Sequence, residues 1–81
     1  MEIEDIITKV NQIFNDVLDN EEIILTKETT ANDIDEWDSL TNIQLVVAIE
    51  KYFRIRFSSN EIQSFKNIGE LSLSISKKLT L

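Results

Sequence analysis

Trp37-Asp38-Ser39-Leu40-Thr41-Asn42-Ile43-Gln44-Leu45-Val46-Val47-Ala48-Ile49-Glu50-Lys51-Tyr52-Phe53 is the stretch on which the fold turns. Asp38 is a good N-cap, so a helix should start at Asp38 or Ser39 and run to Phe53. This helix holds more apolar residues than one buried face needs. Val46, Ile49 and Phe53 form one stripe, with Leu45 beside it. Leu40, Ile43 and Val47 form a second, rotated by roughly 100° or more on a 3.6-residue helix. One stripe can face a core; the other either widens that contact or stays exposed for a partner.

Outward from this helix the chain remains helical. Ile3, Ile6, Ile7, Val10, Ile13, Phe14, Val17 and Leu18 recur at helical spacing, predicting a long amphipathic helix over 2–18. Glu2, Glu4 and Asp5 fall in its first turn, where the dipole favours acids. Residues 19–38 carry no sustained periodicity, only a plausible helical turn around Thr30–Ile34. A connection of that length is unusual in a compact domain, and such loops are often functional. Ser58-x-x-Glu61 is a capping box for a short third helix ending near Phe65. Asn67 caps a fourth helix, with Glu70 three residues on. Ile68, Leu71, Ile75 and Leu79 form its buried stripe, and Lys77 and Lys78 lie at its C-terminus. The expected fold is all-α: a small four-helix bundle, three main helices plus a short one, with a long loop between helices one and two. Residues 1–81 should form one domain.

Composition narrows the function. The chain has no Cys and no His, which removes disulfides, thiolate metal sites and the commonest general base. Hydrophobic residues are 42% and charged residues 28%, enough for one modest core in an ordered chain. The net charge is -7, with 12 acids and 2 bases in residues 1–40 but 3 acids and 6 bases in residues 41–81. Nucleic acid and anionic membranes should be repelled, and partners should present basic patches. No apolar run suits membrane insertion and the acidic N-terminus is unlike a secretory signal, so a cytoplasmic monomer is expected. Asp33, Asp35 and Asp38 suggest a calcium loop, but Trp37, Asp38 and Gln44 fall where the loop needs Asp or Asn, Gly and Glu.

Ser39 is the residue of interest. A helix mouth offers backbone N–H groups and a positive dipole end, which suit a phosphodiester, and leaves a side chain open to a modifying enzyme. By position alone Ser39 is better read as a helix-start residue, since such residues are enriched there. The wider pattern decides between these. Asp38-Ser39-Leu40, the aliphatic helix from Ile43 to Phe53, and the likeness continuing through Ile55, Phe57, Ile62, Ile68 and Leu71 resemble the acyl carrier protein family over nearly the whole chain. The resemblance is to the freestanding type.

This resemblance implies a 4'-phosphopantetheine arm on Ser39, attached by a phosphopantetheinyl transferase, with Asp38 helping that enzyme position its metal and coenzyme A. The chain would be no enzyme. It would hold an acyl or aminoacyl group as a thioester and present it to acyl-loading and acyl-transferring enzymes. Leu40, Thr41, Ile43, Gln44, Val47 and Glu50 are the implied docking face. Val46, Ile49, Phe57, Ile62, Phe65 and Leu71 are the implied acyl channel, with bulkier residues at 62, 65 and 71 than carriers of long chains often have. The docking face departs from fatty-acid-synthesis carriers. Thr41 and Gln44 are uncharged and Lys51 is reversed, which favours a dedicated biosynthetic pathway. The competing reading is an unmodified helical interaction module docking through Leu40, Ile43 and Val47. A hydrolase using Ser39 would lack a base. Trp37 is read as a packing residue closing the loop over the bundle.

Overall fold

The computed structural model describes residues 2–79. Helix α1 spans Ile3–Val17, α2 Ser39–Phe53, α3 Ser59–Ser64 and α4 Ile68–Leu79, with a single 3-10 turn at Ala31–Asp33. Among the described residues there is no strand. No described helix is long and apolar enough to cross a membrane. The element order and the long first loop are those expected from the sequence.

Helix α1 packs against both α2 and α4. Its apolar stripe supplies Ile6, Val10, Ile13 and Phe14 to the core. The first α2 stripe answers with Leu45, Ile49 and Phe53, and α4 with Ile68, Leu71 and Ile75. Each fully buried aliphatic side chain stabilises by about 1.5–3 kcal/mol relative to exposure. Leu79, the last member of the α4 stripe, is only half-buried.

The long loop is also part of the core. Ile23, Leu25 and Ile34 are buried with the helical stripes. Two asparagines on α1 hold it in place. Asn11 Nδ2 donates to the Ile23 carbonyl at 2.8 Å, and Asn11 Oδ1 accepts from the Leu25 N–H at 2.7 Å. Asn15 Nδ2 donates to the carbonyls of Asn20 and Ile23 at 2.9 and 3.1 Å. The middle of the loop caps α4: Ile68 N–H donates to Thr29 O and Gly69 N–H to Lys27 O, both at 2.9 Å. That approach accounts for the chain's one glycine. A Cβ at position 69 would lie 3.0 Å from Lys27 O.

The other ends are closed as follows. Arg54 stops α2 in the left-handed region, at φ 57°, with its N–H on Glu50 O. Ile55 N–H donates to the same carbonyl at 3.1 Å, completing a Schellman arrangement. Helix α3 has the expected reciprocal box: Glu61 N–H donates to Ser58 Oγ at 3.2 Å, and Ser58 N–H to Glu61 Oε1 at 2.8 Å. Asn67 Oδ1 accepts from Glu70 N–H at 2.9 Å at the start of α4. Lys78 does more than complement the α4 dipole. Its Nζ lies 3.0 Å from Glu61 Oε2 and so ties α4 to α3.

Candidate functional site

The site is built on the first turn of α2. Asp38 has extended backbone, φ -123° and ψ -174°, as an N-cap requires. Its Oδ1 accepts from the N–H groups of Leu40 and Thr41, both at 2.9 Å. Thr41 returns the bond: its Oγ1 accepts from Asp38 N–H at 2.9 Å and donates to Glu36 O at 2.7 Å. The backbone N–H of Thr41 chiefly, helped by that of Leu40 and by the Thr41 hydroxyl, holds the Asp38 carboxyl below its usual value, against desolvation that pushes the other way. Asp38 is therefore ionised at neutral pH, and it consumes two of the first-turn donors.

Ser39 comes next, as the first helical residue, and is exposed. Among the described residues its hydroxyl has no hydrogen-bond partner. No base activates it, and the chain contains no His or Cys to do so. Its hydroxyl is open to a modifying enzyme.

A shallow cleft of about 280 Å³ runs beside Ser39, walled by Asp38, Asn42, Trp37, Ile62 and Phe65. A smaller enclosed cavity of about 40 Å³ shares Trp37, Asn42, Ile62 and Phe65 with it and continues to Val46, Ile49 and Leu71. Five of the six residues expected to line an internal channel thus meet around one void. Phe57 does not. It packs edge-on against Phe65, ring centroids 5.4 Å apart, with the Lys78 ammonium 5.5 Å over its face.

The expected docking residues separate into two groups. Leu40, Ile43 and Val47 are exposed, at 71%, 64% and 41%, and Gln44 is exposed beside them. Thr41 and Glu50 are otherwise engaged. Thr41 is half-buried in the capping box, and Glu50 Oε2 accepts from Phe57 N–H at 2.8 Å, holding the turn after α2. Their side chains also hold the helix ends, while Glu50 still lines the surface next to Val47. Trp37 packs as expected, edge-on to Phe14 with centroids 5.0 Å apart. Its place in the cleft wall, and that of Asn42, was not anticipated. The signal was present in their spacing: they flank the cap at the two positions that pair across a helix start. Among the described residues, no group of three or more His, Cys, Asp or Glu is placed to hold a metal ion.

The family described as "phosphopantetheine attachment site" matches residues 8–75. Among solved structures, the chain is similar to the solution NMR structure of a holo acyl carrier protein from Geobacter metallireducens. The identity is 43%, covering 91% of this chain and 85% of that one, with a TM-score of 0.86. No curated protein gives a significant match. An open, unactivated serine at a helix mouth agrees with these likenesses, and the chain belongs to the acyl carrier protein family, phosphopantetheine-dependent carriers that are not themselves catalysts.

Proposed function

We propose that Ser39 is the attachment point of the arm, and that residues 1–81 act as one cytoplasmic, monomeric carrier domain. The observation carrying this reading is the exposed Ser39 hydroxyl, without a hydrogen-bond partner among the described residues, on the rim of the 280 Å³ cleft. The residues fit the group. Asp38 keeps the helix end rigid, so the hydroxyl projects from a fixed point. With the Leu40 and Thr41 N–H groups already bonded to Asp38, the Ser39 N–H is the first-turn donor left for an anionic ester. Trp37, Ile62 and Phe65 offer an apolar floor along which an arm can lie. A phosphopantetheine group bound there supplies a thiol that holds the acyl group as a thioester.

Leu40, Ile43 and Val47 are the surface by which the transferase and the acyl-handling enzymes engage. They are apolar, contiguous and exposed beside Ser39. Thr41 and Gln44 bring no charge to this surface, which supports a dedicated pathway rather than bulk fatty acid synthesis. The narrow internal void supports a small or polar acyl group that stays on the arm outside the bundle.

The test is intact-mass spectrometry after incubation with a phosphopantetheinyl transferase and coenzyme A. Wild-type protein gains one phosphopantetheine, and Ser39→Ala gains none while retaining its circular dichroism. Uptake by Ser39→Ala would move the attachment elsewhere. No uptake by wild type would return the chain to the reading of an unmodified interaction module.

A further inference from the structure

A cleft larger than the one beside Ser39 lies elsewhere on the described surface. It lies at the other end of α2, about 590 Å³, lined by Val47, Glu50, Lys51, Arg54, Ile55 and Arg56. A 15-residue helix is about 22 Å long, so this groove and Ser39 are well separated. Its charge opposes that of the molecule. The chain carries -7, yet the groove presents three bases and one acid. The acid is occupied, because Glu50 Oε2 accepts from Phe57 N–H. Lys51, Arg54 and Arg56 are exposed, and among the described residues none has an ion-pair partner.

Two further observations give the groove direction. Val47 belongs both to the groove and to the exposed strip that begins at Leu40, so the apolar strip leads straight into it. At the strip's other end stand the exposed carboxylates Asp35, Glu36 and Asp38. The surface along α2 is therefore negative beside Ser39, apolar in the middle and positive at Arg54–Arg56. The position of Arg54 adds to this. It is the left-handed residue ending α2, where glycine is free of strain, and local structure gives no reason for a long cation there.

We infer that the groove docks an acidic face of the enzyme that loads or accepts the acyl group, and that this contact sets the orientation in which that enzyme meets Ser39. The inference rests on the carrier reading only in naming the partner. The complementary protein carries carboxylates at one edge of an apolar patch and bases at the other. A uniformly anionic partner, nucleic acid or an anionic bilayer, fits worse. It would meet the acidic end of the same surface and the net negative charge of the chain. Complementary ends of this kind fix register and suppress the reversed pose.

The test uses isotope-labelled protein and two amphipathic helical peptides, one built of Leu and Glu and the other of Leu and Lys. Anionic phospholipid vesicles serve as a third probe. The acidic peptide should shift the amide resonances of Val47, Lys51, Arg54, Ile55 and Arg56. Its affinity should fall several-fold between about 10 mM and 150 mM salt, as the screening length drops from about 30 to about 8 Å. Lys51→Glu with Arg56→Glu should weaken it several-fold, and Lys51→Gln with Arg56→Gln by less. Should the Glu pair fail to fold, the Gln pair decides on the same readout. The inference is overturned if the acidic peptide leaves these resonances unmoved, binds the reversed variant equally well, or is outcompeted there by the basic peptide or the vesicles. Arm uptake is measured separately on wild-type protein. Loss of uptake removes the carrier reading, and a silent groove removes only this one.

Discussion

Trp37 and Asn42 are joined across the start of α2: the indole Nε1–H donates to Asn42 Oδ1 at 2.9 Å. They occupy the positions before the cap and in the first full turn that commonly pair as a hydrophobic staple, here with a hydrogen bond as the link. Trp37 also packs on Phe14 of α1, so one side chain fixes the end of the loop to two helices. Asn42→Ala should leave the half-buried indole N–H without a partner and cost about 1 kcal/mol. For a domain this size that is a fall of about 4–8 °C in melting temperature. The chain's single Trp gives a second readout, a red shift in its emission as the loop loosens. An unchanged melt and emission would mean that water replaces the amide at no cost.

Acid should weaken the capping boxes that open α2 and α3. Backbone bonding from Thr41 lowers the Asp38 pKa from its ordinary 3.8, and bonding from Ser58, then Lys78, lowers that of Glu61 from 4.5. A carboxylate whose pKa is depressed on folding contributes stability above its unfolded value. It loses that contribution as pH falls through the folded value. Overall stability is a poor readout, because protonation also relieves the repulsion among the acids of residues 1–40. The difference between wild type and Asp38→Ala, or wild type and Glu61→Ala, is the cleaner quantity. Each difference should be steady near neutrality and shrink as pH drops below the ordinary carboxylate values. A difference that persists undiminished in acid would mean that the ionised form is not what holds the caps.

Much of this architecture was legible in the sequence, and what was missed has a common cause. The α1 stripe, the Ser58–Glu61 box, Asn67 as a cap and the two faces of α2 follow from local spacing, and the structure has each of them. The packing of the loop does not follow from spacing. Ile23, Leu25 and Ile34 are held inward by Asn11 and Asn15, polar residues on α1 whose partners lie 5 to 14 positions away. The same holds for Thr41 and Glu50. On a helical wheel they look like surface residues, but they turn to bond backbone beyond the helix ends, to Glu36 and Phe57. The exposed place of Ser39 at the start of α2 was legible because the Asp38 cap is local. The basic groove was hidden because Arg54, Ile55 and Arg56 lie after α2, where helical periodicity says nothing about facing.

Ser72 is fully buried in α4, and among the described residues its hydroxyl has no hydrogen-bond partner. A buried, unsatisfied hydroxyl carries the desolvation penalty without the bond that would offset it. Ser72→Ala removes that penalty and installs a better helix former at the same time. Stability should rise by about 1 kcal/mol, read as a higher melting temperature and a higher denaturation midpoint with unchanged slope. A fall in stability would reveal that the hydroxyl is bonded, to water or to a backbone carbonyl.

The interior should not accept a long acyl chain. The internal cavity behind the Ser39 cleft is about 40 Å³, room for about one water-sized group. Its mouth is narrowed by Ile62 and Phe65, and the Trp37–Asn42 bond lies in the shared wall. An entering chain would gain about 0.8 kcal/mol for each methylene buried. It would first have to displace side chains that are already packed, and overpacking costs roughly 1–3 kcal/mol per insertion. Breaking the indole hydrogen bond would add about 1 kcal/mol. The first few methylenes therefore return less than they cost, and the chain stays on the arm. Protein loaded at Ser39 with butanoyl and with dodecanoyl groups should melt at the same temperature. A clear rise with length would mean that the wall opens, and would remove the argument for a small or polar cargo. Ile62→Ala with Phe65→Ala should restore a length dependence, measured against the unloaded variant so that the cavity cost is already counted.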